Sequence, residues 1–307
     1  MMSRLTLAIA TAATLITTAC VQQDDDVHPV ARALPTATDV AIKLPDRSAK
    51  LTQDALGETA QWYVTTRDLT RTLNGGTAFV LVLVHTIVQF PPTSVDGATA
   101  TWGPHHDALD PAEWRLIVTE LADGTYDWSL DGRDRTTPGA AFETIIDGNA
   151  DAAGTGTFVM DFDAAERVNP RENDGKGLLG VRYDIPARAL DLDVDVIEDR
   201  DGTPTPVHYD YAYDEATDGA GDMVFQIHAD TEDVGPAAEE ITLRSRWLAT
   251  GAGRADLRAR SGDLPVEVTG SECWDTTFGR VFYTDSADWQ PTEGDVASCA
   301  YADVDLP

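Results

Sequence analysis

ALDLDVDVI, residues 189–197, decides the fold: Leu190, Leu192, Val194 and Val196 alternate without a break with Asp191, Asp193 and Asp195. Successive side chains of an extended strand point to opposite faces, so a period of two gives one apolar and one acidic face. Such a strand belongs in an antiparallel sheet with one side buried and the other in water.

On both sides of it the same pattern repeats. Short alternating runs bounded by turn residues predict strands at residues 98–102, 114–119, 126–130, 142–147, 157–163, 178–184, 207–213, 223–228, 241–248, 255–260, 265–269 and 280–283. Residues 122–125 and 200–202 read as hairpin turns. Strand twist accumulates across so many strands, so the sheet is expected to curl into an open or half barrel; the alternative is a β-sandwich.

Before the strands the period changes. Ala55, Trp62, Thr66, Leu69 and Leu73 recur at helical spacings, with Asp54 as N-cap and Asn74, Gly75 and Gly76 as the stop. The apolar run TAFVLVLVHTIVQF follows, closed by Pro91 and Pro92, and its His85, Thr86 and Gln89 fall on one helical stripe. The expectation is a helical hairpin over residues 51–92, turning at the glycine pair and packing on the sheet. Residues 93–307 form the antiparallel β domain.

The amino terminus has an export pattern: Arg4, then an apolar run from Leu5 to Ile16, then small residues up to Cys20. That run is too short to cross a bilayer as a helix, so residues 1–19 read as a signal peptide. Residues 20–50, with Asp24, Asp25, Asp26 and three prolines, read as an acidic tether. LITTAC resembles the lipobox of bacterial lipoproteins, which implies lipidation of Cys20. Thr17 stands where that motif usually has leucine, so simple cleavage after Ala19 is the alternative. Reserving Cys20 for lipid leaves Cys273 and Cys299 as a disulfide pair in an oxidising compartment.

Lysine plus arginine number 22 against 53 acids, a formal charge of −31. Such a chain repels nucleic acid, so the partners expected are the membrane, through the anchor, and an envelope protein or hydrophobic ligand. No GxSxG, SxxK, HExxH or phosphate-loop pattern occurs, no cofactor is implied, and a non-enzymatic role is expected. EDRDG at residues 198–202 fails as a calcium loop, because Ile197 and His208 fall where carboxylates are needed.

The remaining candidates are modest. His105, His106 and Asp107, with Asp110 and His85, are a weak metal set. Arg244, Arg246, Arg258 and Arg260 form the one basic stretch and are candidates for holding an anion; the competing reading pairs them with the aspartate ladders. Glu113 with Glu120 is a nominal glycosidase pair, and Tyr209, Tyr211 and Tyr213 share one face, as core or as a sugar platform.

The lipobox-like start, GGTAFVLVLVHTIVQFPPTS, ATWGPHHDALDP, SRWLATGAGRADLR and the terminal ECWD together resemble secreted lipoproteins of the myxobacterial type. That resemblance implies an exported, outer-membrane-anchored lipoprotein and brings no known activity. The leading expectation is a lipid-anchored envelope protein that binds a partner or serves a structural role. The alternative is a carrier for a hydrophobic ligand, and an envelope hydrolase comes third.

Overall fold

The computed structural model describes residues 36, 41–45, 58–88, 90–106, 110–200, 202–230 and 237–306. Helix α1 (Gln61–Val88) precedes strands β1 (Ser94–Asp96), β2 (Thr99–His105), β3 (Ala112–Glu120), β4 (Tyr126–Asp134), β5 (Glu143–Ala150) and β6 (Thr155–Asp161). A short helix, α2 (Phe162–Val168), leads to β7 (Gly177–Asp184), β8 (Ala189–Arg200), β9 (Thr203–Glu215), β10 (Gly221–Ala229) and β11 (Glu239–Trp247). Then come β12 (Gly253–Ser261), β13 (Val268–Trp274), β14 (Arg280–Asp285) and β15 (Glu293–Gly294).

All the strands join one antiparallel sheet in chain order, each paired with its neighbours in sequence, and the sheet does not close. The chain is therefore mainly β, with a large curled sheet rather than two stacked ones. β8 has the expected polarity: Leu190 and Leu192 are buried while Asp191, Asp193 and Asp195 are exposed. The apolar row continues through Trp128, Phe158, Val181, Leu192, Tyr211 and Leu243, all buried on the face that carries α1.

The hairpin expectation is corrected. α1 is a single helix of 28 residues that runs straight through Gly75 and Gly76. Each interior glycine costs about 1 kcal/mol relative to alanine, which weakens a helix without ending it. Asn74 does not act as a stop either, because its side chain is used elsewhere: Oδ1 accepts from Ile42 N at 2.8 Å and Nδ2 donates to Ile42 O at 3.0 Å. Asp54, the expected cap, lies outside the described residues. The helix begins instead at Gln61, where β13 supplies the cap. Gln61 N and Trp62 N donate to the two carboxylate oxygens of Glu272, at 3.1 and 2.5 Å.

From there α1 reaches the other end of the sheet, where Trp102 Nε1 of β2 donates to Phe90 O just beyond the helix. Twenty-eight helical residues span about 42 Å, whereas β2 to β13 laid flat would cover roughly 53 Å at the usual strand spacing. Contact at both ends thus needs a curled sheet. The apolar positions of α1 follow the helical period, with Tyr63, Thr66, Thr70, Val84 and Val88 buried. Thr66 and Thr70 are the polar exceptions among these: Thr66 meets Ser245 Oγ of β11 at 2.7 Å, and Thr70 Oγ1 donates to Arg67 O at 2.8 Å.

Large rings on the covered face sit opposite glycines. Trp114 pairs with Gly132, Trp128 with Gly148, Tyr183 with Gly156, and Trp247 with both Gly221 and Gly253. A Cβ built on Gly148 would stand 2.8 Å from the Trp128 ring, and one on Gly132 2.7 Å from Trp114. The glycines are floor space for the rings, which in turn cover the backbone that glycine leaves bare.

Three parts of the chain depart from expectation elsewhere. The strand expected at residues 265–269 is displaced: β13 runs Val268–Trp274, and its pairing with β12 begins only at Val268, beyond Pro265, which has no N–H to give the ladder. Residues 162–168, partly assigned to a strand, form α2: Asp161 caps it by accepting from Ala164 N, and Ala164, Ala165 and Val168 go into the core. Residues 41–45, expected in the tether, lie on the domain, with Ile42 buried, Lys43 N donating to Tyr213 Oη and Trp247 Nε1 donating to Lys43 O. The rest of the tether, the signal peptide and Cys20 lie outside the described residues, apart from residue 36.

Aspartates pin several turns between strands. Asp134 Oδ1 accepts from Thr136 N at 2.7 Å and Thr136 Oγ1 at 2.6 Å, and its Oδ2 accepts from Thr137 Oγ1. Asp123 and Asp151 are held similarly by Thr125 and Thr155. The Thr136 side chain first, then Thr137, hold the Asp134 carboxyl below its usual range; Thr125 and Thr155 do the same for Asp123 and Asp151. A carboxyl depressed in the folded state stabilises it above the unfolded pKa, about 4, and that stability is lost as pH falls through the lower folded value. Acid titration followed by circular dichroism should therefore show Asp134→Asn flattening the acid limb of the stability curve, less stable than the parent at pH 7 and converging with it as pH falls below the lowered folded value.

Candidate functional site

The sheet face away from α1 is open to solvent across its centre. Cross-strand register sets two polar rows on β8, β9 and β10, Asp193 beside Asp210 and Gln226 and Asp195 beside His208 and His228, next to a row in which Asp191 stands beside Ala212 and Val224. Strand polarity places all of them on one side.

His208 joins two strands. Its Nδ1 lies 2.9 Å from Asp195 Oδ1 and its Nε2 lies 2.9 Å from Asp210 Oδ2. Burial alone would lower its pKa, but the hydrogen bonds from Asp195 and Asp210 outweigh that and hold the imidazole above its ordinary value. One donor atom from each of Asp193, Asp195 and His208 lies within 4.8 Å of the other two. Beside this group, His208, Asp210, Gln226, His228 and Glu240 line a hollow of about 200 Å³. A larger hollow of about 540 Å³ lies over Val159, Arg182, Asp191, Asp193 and Asp210.

The arginines lie at the next part of the same face, on β11 and β12, joined by the turn at Gly251 as their spacing predicts. Each is held by a carboxylate: Arg244 by Asp222 at 2.6 Å, Arg246 by Asp256 at 2.9 Å, Arg258 by Glu267 and Arg260 by Glu240, both at 2.8 Å. Arg246 and Arg254 stand directly opposite, a like-charge pair that Asp256 neutralises by bonding both. The carboxyl-terminal segment lies across them. Arg246 donates to Ala302 O, Arg258 to Leu306 O, and Tyr301 sits 5.1 Å from the Arg246 guanidinium. The counter-ions are thus neighbours on adjoining strands and loops rather than Asp191, Asp193, Asp195 or Asp210.

Cys273 of β13 and Cys299 are bonded, at a sequence separation of 26, which ties the start of that carboxyl-terminal segment to the sheet. Closing such a loop contributes about 3.5 kcal/mol on the chain-entropy account.

The other sequence candidates do not assemble. His105 ends β2 and is exposed, as is His106; Asp107 and the His85 side chain lie outside the described residues. Asp110 accepts from Ala112 N, Trp114 Nε1 and Asn169 Nδ2, a structural role. Glu113 and Glu120 lie seven positions apart on β3, on opposite faces and roughly 24 Å apart, far beyond the separation glycosidase chemistry requires. Glu113 is instead paired with Arg133 at 2.6 Å. Tyr209, Tyr211 and Tyr213 belong to the covered face, Tyr213 stacking on Trp247 and Tyr209 on Phe225.

On that covered face Trp128 Nε1, Tyr183 Oη and Tyr211 Oη are buried and have no hydrogen-bond partner among the described residues. Burial pushes the Tyr211 hydroxyl well above its ordinary pKa, and Tyr183 rises as well. Both phenols therefore stay protonated at neutral pH.

No family model matches the chain, and neither the curated proteins nor the solved structures contain a match to it.

Proposed function

We propose that this protein is an exported lipoprotein, held at the cell envelope by lipid on Cys20, whose acidic sheet domain acts by binding or as a structural module rather than by catalysis. The observation that carries this reading is the Cys273–Cys299 bond. With those two paired, Cys20 is the remaining cysteine of the three, and it stands at the end of the export pattern. Two or three acyl chains would make attachment stable, and an anionic domain would stand off an anionic headgroup layer. The binding surface on this reading is the open sheet face, a polar array that the core does not use.

A second reading, a carrier for a hydrophobic ligand, is favoured by the three unpartnered polar atoms on the covered face, which offer donors to a ligand's polar end. One preparation separates the two. Mass spectrometry of detergent-extracted protein should find Cys20 at the amino terminus bearing acyl chains, and Cys20→Ser should abolish palmitate incorporation. An unmodified amino terminus, or incorporation that survives Cys20→Ser, overturns the anchor. Stoichiometric co-purifying lipid would move the function to the carrier reading, and its absence removes that reading.

A further inference from the structure

We propose that the open face carries a binding site for a first-row divalent transition-metal ion of the zinc class, built from Asp193 and Asp195 of β8 and His208 of β9, with His228 of β10 as the neighbouring donor. The site does not depend on Cys20 being acylated.

Geometry carries the proposal. The three donor atoms already lie within 4.8 Å of one another. Ligands of one tetrahedral ion at about 2.1 Å stand roughly 3.4 Å apart, so closure needs a shift of at most about 1.4 Å, within reach of side-chain rotation on an exposed face. Asp195 Oδ1 and His208 Nδ1 are at 2.9 Å, close to ligand spacing before any movement. Asp193 has no hydrogen bond or ion pair to a described residue, so its carboxylate is available. His228 faces His208 directly across the β9–β10 ladder and is likewise without a hydrogen-bond partner among the described residues.

The donor types select the ion. Carboxylates alone suit calcium or magnesium and are abundant on any acidic surface, whereas imidazole suits zinc, nickel and copper. Two imidazoles on directly paired positions are what separate this place from the rest of the acidic face. Strand backbones paired residue for residue hold the set in register, and Asp191 and Asp210 add negative field that concentrates cations.

The test uses the full mature chain, stripped of metal by chelation and titrated with Zn²⁺ and separately with Ca²⁺ by calorimetry. One Zn²⁺ per chain is expected, with much weaker Ca²⁺ binding. His208→Ala and Asp193→Asn should each weaken Zn²⁺ at least about tenfold, and Asp147→Asn on β5 of the same face should not. Because the Asp193 side chain bonds to no described residue, its variant keeps the test decisive if His208→Ala is unstable. Cu²⁺ loaded in place of zinc should show nitrogen coupling in its electron paramagnetic resonance spectrum, lost in a His208→Ala, His228→Ala double variant. Equal affinity for Ca²⁺ and Zn²⁺, unchanged binding by Asp193→Asn, or a copper spectrum without nitrogen coupling overturns the proposal.

Discussion

Replacing Glu272 by alanine is expected to cost about 3 to 5 kcal/mol, a loss that would lower the melting temperature by roughly 10 °C for a domain of this size. Glu272 is fully buried, and its carboxylate has three partners: Arg280 Nε at 2.7 Å and the amides of Gln61 and Trp62. The arginine is itself only 5% exposed in its side chain, so removing the acid leaves a buried cation with weaker partners: Gln290, the exposed Glu293 and Glu58, and the Tyr283 ring. At the same stroke the helix loses the anion at its positive end and two amides lose their acceptor. Since this is where α1 is fastened to β13, the helix should loosen before the sheet does. Hydrogen exchange should show Gln61 and Trp62 amides losing protection in Glu272→Ala while β8 and β9 keep theirs. Glu272→Gln, which keeps an acceptor for the amides but drops the charge, should fall between. Glu293→Ala, a change at a solvent-exposed partner of the same arginine, should move stability by less than about 0.5 kcal/mol. Equal effects of the two alanine variants would show that the buried pair is not what holds the helix.

The sheet was legible because its signal is local. Alternation of apolar and acidic residues, as in residues 189–197, needs no knowledge of the partner strand, and the strands predicted by it recur in the structure with ends moved by a few positions, except at 265–269, of which only 268 and 269 belong to β13. What was illegible depends on distance along the chain. The start of α1 is set by a glutamate more than two hundred residues away, and Asn74 is diverted from ending the helix by Ile42. α2 did leave a readable trace, Asp161 followed by Ala164, Ala165 and Val168, but it follows a strand without a turn and was absorbed into it. The candidate site hid for the same reason as the helix start. Asp193 and Asp195 read correctly as a wet strand face, and His208 with Asp210 share a face by simple alternation, yet only the β8–β9 register makes them neighbours. A slip of one residue would have put His208 on the other side of the sheet. The arginines were legible as a like-charge conflict needing counter-ions; the identity of those ions was not, because Asp222, Glu240, Asp256 and Glu267 lie on adjoining strands and a loop that only the register brings alongside.

Gly221→Val should cost about 4 kcal/mol or more, because the space it would fill already belongs to a ring that has nowhere to go. A Cβ at position 221 would overlap the Trp247 indole, from Cε2 to Nε1. Trp247 is fully buried, stacks on Tyr213 at 5.9 Å with an interplanar angle of 14°, and donates to Lys43 O at 3.1 Å. Moving the ring therefore sacrifices a stacking contact and a buried hydrogen bond, worth about 1 kcal/mol each, on top of about 1 to 3 kcal/mol of overpacking strain. It would also loosen residues 41–45 at Lys43, leaving the Asn74 side chain to hold Ile42. Two comparisons isolate the cause. Gly180→Ala on β7 meets only ordinary contacts near Asp193, so it should be neutral or slightly stabilising, since glycine weakens a strand for want of a side chain. Trp247→Leu alone should cost about 3 kcal/mol as a large-to-small change, yet the double variant Gly221→Val with Trp247→Leu should be more stable than the sum of the two losses by at least about 1.5 kcal/mol. Denaturant unfolding of the four proteins gives that coupling directly. Additive losses would mean that position 221 is intolerant for a backbone reason and that the ring over the glycine is incidental; strong coupling would establish each aromatic–glycine pair as a unit that fixes both the register and the packing of the curled sheet.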